Sequence, residues 1–218
     1  MIVVLIILLS GTSCSTTKLI KSKVNPDEVT NIQFVEPFSF ISYVSTGNTS
    51  VLNDSMSAIR KQIVEKLGHE YQDQLHITGQ ISLEDTVIEN KLWRELESII
   101  KRVGRYGNLY YIKASPVMDS LLRSWGHRFG LFTVSSGFIR KSGNYPKEKA
   151  RADAINAVPY KFEREYVVPR GSALFAIIYD AGKHEVAFFG KSIKEELPLK
   201  EDLLRKRFRE VFRGYFFK

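Results

Sequence analysis

The order of apolar and polar positions along the chain predicts several strands. The predicted strands are rich in aromatic and β-branched residues or alternate in polarity. They lie at 38–44, 75–83, 131–139, 173–179 and 184–189. Turn-forming residues follow the first strand and predict a loop over 45–53, and Asp180 to Lys183 form the turn of a predicted hairpin.

Apolar residues at helical spacing predict helices between these strands. The first helix is expected to be capped by Asp54 or Ser55 and to end at Gly68. A second amphipathic helix is expected over 93–103. A third has Ser115 and Pro116 in its cap and first-turn positions.

Two later segments add to this pattern. Residues 147–157 are a short, charged helix candidate. Residues 203–215 predict a C-terminal helix that packs on the core. The alternative for this C-terminal helix is that it binds a membrane surface or a partner. Both Trp93 and Trp125 are expected in the core. The prolines of 142–170 predict a long excursion, which is either a surface insertion or the functional part of the fold.

These elements predict a single α+β or three-layer α/β domain over residues 27–218. We expect a mixed or antiparallel sheet, several amphipathic helices and a C-terminal helix. The chain of 218 residues is long enough to bury one substantial core. We expect this domain to be soluble, because charged residues interrupt every apolar segment after the first.

The first 13 residues have a different character from the rest. Residues 2–9 are an unbroken apolar run, and small residues follow it up to Cys14. This run is shorter than the roughly 20 residues of a membrane-spanning helix and is typical of a secretory signal peptide. Cys14 is the single cysteine of the chain, which excludes an intramolecular disulfide and a zinc site with several thiolates.

The apolar run, the small residues and Cys14 together resemble a bacterial lipoprotein signal. The resemblance implies that residues 1–13 are removed, that the Cys14 thiol carries lipid, and that 14–26 form a basic tether to a membrane. Ser15 stands where enterobacterial lipoproteins of the inner membrane have Asp, which implies the outer membrane. The alternatives are an ordinary signal peptide, or a buried N-terminal strand with an incidental cysteine.

Charge and motifs change this picture little. The formal net charge of +8 permits nucleic-acid binding, but an exported chain without a recognised module argues against it. The sequence 190–192 matches only the end of a phosphate-binding loop, so we expect no nucleotide. The SxxK pattern at 98–101 is read as part of a core helix.

No catalytic or metal-binding pattern stands out. We expect no cofactor and no metal, because the histidines show no ligand spacing. We interpret Asp54 as a helix cap and Asp180 as a turn residue. The histidines and the remaining candidate carboxylates are His69, His76, His127, His184, Glu84, Asp85 and Asp119.

Three short segments at 136–145, 177–180 and 188–192 resemble uncharacterised lipoproteins of Bacteroidota, a family without an assigned activity. The strand, helix, strand order after a cysteine is also similar to curli-secretion-type lipoproteins and to the amino-terminal domain of TolB-like proteins. The Bacteroidota resemblance further implies O-glycosylation at Asp-Ser/Thr-apolar sites. These sites would be Ser55, Thr86 and Ser120.

The sequence thus predicts a lipid-anchored lipoprotein of the cell envelope with a non-catalytic accessory or assembly role and envelope protein partners. We expect it on the periplasmic face of the outer membrane. One alternative is an envelope hydrolase, with carboxylates and His127 or His184 in a cleft beneath the 142–170 excursion. The other alternative is a secretion-pore subunit, for which the charges of 147–151 make the excursion a poor membrane strand.

Overall fold

The computed structural model describes residues 17–217, apart from 111, 113 and 158–164. Within these residues it contains eight strands and five α-helices. The strands are β1 Thr17–Ser22, β2 Ile32–Val35, β3 Phe38–Thr46, β4 Thr49–Leu52, β5 Ile77–Ile81, β6 Phe129–Arg140, β7 Arg170–Asp180 and β8 Glu185–Lys194. The helices are α1 Asp54–Glu70, α2 Thr86–Tyr106, α3 Pro116–Ser124, α4 Asn144–Asn156 and α5 Glu201–Val211.

The strands form one mixed sheet, in the order β1-β8-β7-β6-β2-β5. β1, β8, β7 and β6 are antiparallel neighbours, whereas β2 and β3 run parallel to β6. The predicted mixed sheet of an α+β domain is therefore confirmed.

β2 and β3 lie one after the other along the same side of β6. Phe34 pairs with Leu131, and Phe38 pairs with Val134. Three residues separate Phe34 from Phe38, but only two separate Leu131 from Val134, so the chain of β2 and β3 contains one extra residue here. The extra residue falls at Glu36 and Pro37, and proline has no N–H to give to a ladder. Beyond this bulge the outer neighbour changes from β5 to β4.

The sheet has two ends that matter for function. At the Arg170 end, β1 and β7 begin and β6 and β8 finish, because Ile139 pairs with Arg170 and Thr17 with Ile193. At the Asp180 end, β6 begins and the β7–β8 hairpin turns, because Phe129 pairs with Asp180. Eleven residues of β7 separate the ends, which is about 35 Å at the usual rise per residue.

Helices cover both faces of the sheet, which gives three layers. On one face α2 and α3 pack against residues such as Phe132, Phe175 and Phe189. On the other face α1 and α5 pack against residues such as Leu174 and Phe188. The C-terminal helix is a core helix, as predicted, since Leu204, Phe208, Val211 and Phe212 are buried.

A buried cation helps to fix α1 to the sheet. Arg60 has no exposed surface and donates to the carbonyl oxygen of Pro198 and, at 3.1 Å, to Ser172 Oγ. Burial lowers the Arg60 pKa to about 10, while the nearby charge of Glu196 opposes this shift. A second arginine, Arg207, lies 3.2 Å from Glu196 and holds α5 to the same region.

The structure corrects several local predictions. The predicted loop over 45–53 contains β4, which forms a hairpin with β3. Asn53, rather than Asp54 or Ser55, caps α1, and its side chain accepts from Met56 N. Gly68 lies inside α1, where an added Cβ would be 2.4 Å from the Phe34 ring, so it permits close packing and does not end the helix.

The N-terminal boundary and one tryptophan also differ from expectation. Part of the predicted tether over 14–26 belongs to the fold, since Thr17–Ser22 is β1 and Pro26–Glu28 is a turn of 3-10 helix. Ladder bonds to β8 order this polar segment. Trp125 is 57% exposed just after α3, whereas Trp93 packs against the core as expected. No helix among the described residues is both long and apolar enough to span a bilayer.

Candidate functional site

The structure brings together a histidine and a carboxylate at the Asp180 end. Asp119 lies in the first turn of α3, and His184 lies in the turn between β7 and β8. Asp119 Oδ2 is 2.8 Å from His184 Nδ1. Arg123 Nη2 lies 2.8 Å from His184 Nε2 and 3.4 Å from Nδ1 of the same ring.

A buried tyrosine extends this cluster into the core. Tyr179, near the end of β7, donates to Asp119 Oδ1 at 3.0 Å and accepts from Ser115 N at 3.1 Å. Ser115 also caps α3, as predicted, and its hydroxyl donates to the carboxylate of Glu95 on α2. The cluster thus links α2, α3 and the β7–β8 hairpin.

Burial is the main cause of the pKa shifts in this cluster. It raises the pKa of Tyr179 far above its ordinary value, and the hydrogen bond to Asp119 and the charges of Asp119 and Glu95 raise it further. It also raises the pKa of Glu95, although the N–H groups of Val117 and Met118 oppose the shift. The negative charge of Asp119 acts on Glu95 in the same direction as burial.

The hydrogen bonds of this cluster leave little room for acid–base chemistry. Asp119 Oδ2 approaches the imidazole of His184 at Nδ1, and the guanidinium of Arg123 lies within 3.4 Å of both ring nitrogens. Both ring nitrogens are then engaged within the protein. The Ser115 hydroxyl is directed to Glu95 and not to the imidazole. What the arrangement does is fasten the hairpin turn to α3.

This geometry corrects the place of the hydrolase alternative. The sequence placed His127 or His184 beneath the 142–170 excursion, but both lie at the Asp180 end. The excursion leaves and re-enters the sheet at the Arg170 end, since it follows β6 and precedes β7. An Asp–His pair does form, yet it lies at the opposite end of the sheet from the described residues that flank 158–164.

The other histidines do not converge on a site. His76 Nδ1 lies 2.9 Å from the carbonyl oxygen of Val29, while His69 is exposed near the end of α1. In the part of the chain that the structure describes, no group of His, Cys, Asp and Glu is arranged to hold a metal ion.

The carboxylates and the weak motifs have structural roles. Asp85 caps α2, and Asp180 accepts from Gly182 N at 2.9 Å in the predicted turn while pairing with Arg128 at 2.7 Å. Residues 190–192 lie within β8, and Ser98 lies within α2. An added Cβ at Gly190 would be 2.3 Å from the carbonyl oxygen of Val211, so this glycine lets α5 approach the sheet.

Two clefts are open to solvent. The larger, of about 540 Å³, lies between α4 and residues 165–167 and has a mostly polar lining that includes Lys149, Asp153 and Asn156. The smaller, of about 350 Å³, lies beside β5 and is bordered by His69 and Phe34. Neither contains the Asp119–His184 pair.

The Arg170 end is rich in positive charge. Lys141, Lys147 and Arg170 are exposed there, and Lys194 is half-buried. None of the four forms an ion pair within the described residues.

The carboxylates at the Arg170 end are mostly paired. Arg151 lies 3.0 Å from Glu148 and 3.6 Å from Glu165. Lys149 lies 2.7 Å from Asp153. Glu195 is exposed and makes no ion pair with the described residues. The basic residues at this end are therefore only partly balanced.

The structure describes only some of the predicted modification sites. Cys14 lies outside the described residues, three positions before the first residue of β1. Ser55, Thr86 and Ser120 are all exposed; Ser55 and Thr86 lie in the first turns of α1 and α2, and Ser120 lies in the middle of α3. Their glycosylation stays a prediction.

Sequence reasoning missed Glu95, Ser115 and Tyr179 as members of one cluster. They come from three separate elements and meet only through tertiary packing. One usable signal was present: Tyr179 ends the apolar run 173–179, and a buried tyrosine hydroxyl needs a hydrogen-bond partner.

Comparison with known proteins gives a limited result. No protein-family model matches the chain, and no curated protein is significantly similar to it. Among solved structures, the chain is similar to the PelC dodecamer from Paraburkholderia phytofirmans at 8% identity, covering 94% of this chain and 99% of that chain, with a TM-score of 0.40. A single-substitution variant of the same dodecamer gives 8% identity, the same coverage and a TM-score of 0.39.

A third solved structure is the LpoB C-terminal domain from Salmonella enterica. It is 13% identical, with 78% of this chain and 87% of that chain covered and a TM-score of 0.32. These scores are too low to transfer the arrangement or the role of either protein. The resemblance to Bacteroidota lipoproteins has no support from a family model.

Proposed function

We propose that this protein is a lipid-anchored accessory component of the bacterial cell envelope. The observation that carries the proposal is the N-terminal pattern: an apolar run over 2–9, small residues, and then the single cysteine, Cys14. Residues 1–13 would be removed and Cys14 would carry the lipid. The folded domain would begin three residues later, at Thr17.

The proposed role is to bind or assemble envelope proteins, without catalysis. The Asp119–His184 pair supports this role, because its hydrogen bonds connect α3 to the hairpin turn instead of leaving a nitrogen for a substrate. The buried Arg60 and Arg207 likewise hold helices to the sheet. We place the protein on the periplasmic face of the outer membrane, because Ser15 follows the cysteine.

The test is to express the full chain and its Cys14→Ser variant in a Gram-negative host with a labelled fatty acid. We expect label only in the wild type, together with an intact mass that begins at Cys14. Equal labelling of the two chains, or label in neither, contradicts the proposal.

A matched variant tests the choice of membrane. Ser15→Asp leaves the acceptor cysteine in place, so we expect it to be labelled like the wild type. Sucrose-gradient separation should then find the wild type in the outer membrane and Ser15→Asp in the inner membrane. A wild-type chain in the inner membrane would remove the outer-membrane assignment while leaving the lipid anchor intact.

The same intact-mass measurement tests the proposed O-glycosylation. In a Bacteroidota host, added hexose-type mass that is reduced stepwise by Ser55→Ala, Thr86→Ala and Ser120→Ala would support it. A mass that equals that of the lipidated polypeptide alone would dismiss it.

A further inference from the structure

The chain leaves the described fold at a defined place. Thr17, the first described residue, pairs with Ile193 and lies at the Arg170 end of the sheet. Only three residue steps separate Thr17 from Cys14, and an extended chain covers at most about 3.6 Å per residue. A lipid on Cys14 would therefore hold Thr17, at the Arg170 end, within roughly 10 Å of the membrane surface.

The charge of this end suits such a surface. Lys141, Lys147, Arg170 and Lys194 make no ion pair within the described ranges, and most of the carboxylates around them are already paired. When the sheet stands on this end, these residues lie at about the height of Thr17, which is close to the Debye length of about 8 Å at physiological salt, so they would feel the charge of lipid headgroups.

An exposed aromatic side chain lies at the same end. Tyr166 is 51% exposed, four residues before β7, and Arg140 at the end of β6 donates to the carbonyl oxygen of nearby Val168. Tyrosine side chains combine an apolar ring with a polar tip and are enriched at the level of lipid headgroups. The Asp180 end, in contrast, lies about 35 Å away along β7.

From these observations we propose that the Arg170 end is a docking face for an anionic lipid surface, so that the anchored domain stands on the membrane with its Asp180 end directed away. This inference rests on the proposed lipid anchor and adds an orientation to it. It leaves the Asp180 end and both helical layers as the surfaces available to protein partners.

The experiment measures the height of two positions above the membrane. The Cys14 thiol is consumed by the lipid, so one added cysteine is the only free thiol in the mature protein. Ser142→Cys places it at the Arg170 end, and Ser124→Cys places it beside His184 at the Asp180 end. Each lipidated variant is labelled with a donor fluorophore and reconstituted with a headgroup-labelled acceptor lipid.

We expect strong energy transfer from position 142 and weak transfer from position 124 in vesicles that contain equal amounts of phosphatidylcholine and phosphatidylglycerol. The contrast should fall in phosphatidylcholine alone and at high salt, because both remove the charge attraction. Equal transfer from both positions in anionic vesicles would overturn the inference. So would a contrast that is unchanged in neutral vesicles.

A matched pair of charge reversals identifies the residues. Lys141→Glu with Arg170→Glu reverses two exposed, unpaired charges at the proposed face. Lys183→Glu with Lys206→Glu makes the same change in net charge elsewhere. Each basic residue near an anionic surface strengthens binding about fivefold. The first pair of substitutions should therefore lower the ratio of molecules that stand on the Arg170 end to molecules in other orientations about 25-fold or more.

The control pair should keep the contrast of the wild type, and an equal loss in both pairs would count against the proposed face. The fatty-acid label separates the two proposals. A labelled protein without a preferred end refutes only the orientation, whereas an unlabelled protein refutes the anchor and the orientation together.

Discussion

Gly190→Ala is a sharp test of how α5 is packed on the sheet. The added methyl group would lie 2.3 Å from the carbonyl oxygen of Val211 and 3.1 Å from its carbon. A carbon normally lies about 3.3 Å or more from a carbonyl oxygen, so the contact must open by about 1 Å. Because the obstacle is backbone at the end of α5, a side-chain rotation cannot relieve it.

The movement has a cost that can be bounded. The end of α5 and the residue after it bury Phe208, Val211 and Phe212 against the sheet, and a shift of the helix disturbs these contacts. Overpacking of a core by one methyl group typically costs about 1–3 kcal/mol. We expect a loss near 2 kcal/mol in the free energy of unfolding, equivalent to about 4–8 °C in Tm for a domain of this size.

Urea and thermal unfolding followed by circular dichroism measure this loss. Gly104→Ala is the matched control, because Gly104 is exposed within α2 and an added Cβ there meets nothing within 4 Å. That change should stabilise the protein by up to about 1 kcal/mol through helix propensity. A Gly190→Ala protein as stable as the wild type would refute the packing argument. A separate measurement concerns the motif at 190–192: ATP binding by the wild type would indicate a phosphate-binding loop there.

Three further predictions concern buried polar groups. Burial is the largest single effect on the pKa of Asp180 and acts to raise it, but the hydrogen bond and charge of Arg128, together with the N–H groups of Gly182 and Lys183, outweigh burial, so the pKa is below its ordinary value. Ionised Asp180 therefore stabilises the fold above pH about 4, and this contribution is lost as the pH falls further. Asp180→Asn should make the free energy of unfolding less dependent on pH on the acid side. An unchanged pH dependence would contradict this. Ser115→Ala removes the cap of α3 and should cost about 1 kcal/mol in urea unfolding, whereas the exposed Ser120→Ala should cost much less. Arg60→Ala removes a large buried side chain and leaves the Pro198 carbonyl and the Ser172 hydroxyl without their donor, so it should cost about 2–5 kcal/mol, and a loss below 1 kcal/mol would show that the buried guanidinium is dispensable.

Local signals were sufficient where an element and its stop signals are close in sequence. Two apolar runs on either side of the turn at Asp180 predict the β7–β8 hairpin, and Ser115 and Pro116 predict the start of α3. α2 ends where Gly107 adopts a left-handed conformation, close to the predicted end.

The errors come from contacts between distant parts of the chain. Gly68 looked like a helix stop, but the Phe34 ring that occupies the space above it belongs to another element. β1 is a short polar segment whose partner, β8, lies near the other end of the chain. Asp119 and His184 are 65 residues apart, and no spacing rule connects them. Tertiary packing decides each of these cases.

The pairing of β1 with β8 also sets the order in which the domain can be completed. Synthesis proceeds from the N-terminus, so the strand that follows Cys14 is made first, yet it must wait for residues 188–193 before it can join the sheet. Contacts of such long range form slowly, and until they form the edge of β8 has unpaired backbone groups. β1, the first strand after Cys14, therefore cannot join the sheet until β8 has been made, and a chain cut before β8 leaves β1 without a partner strand.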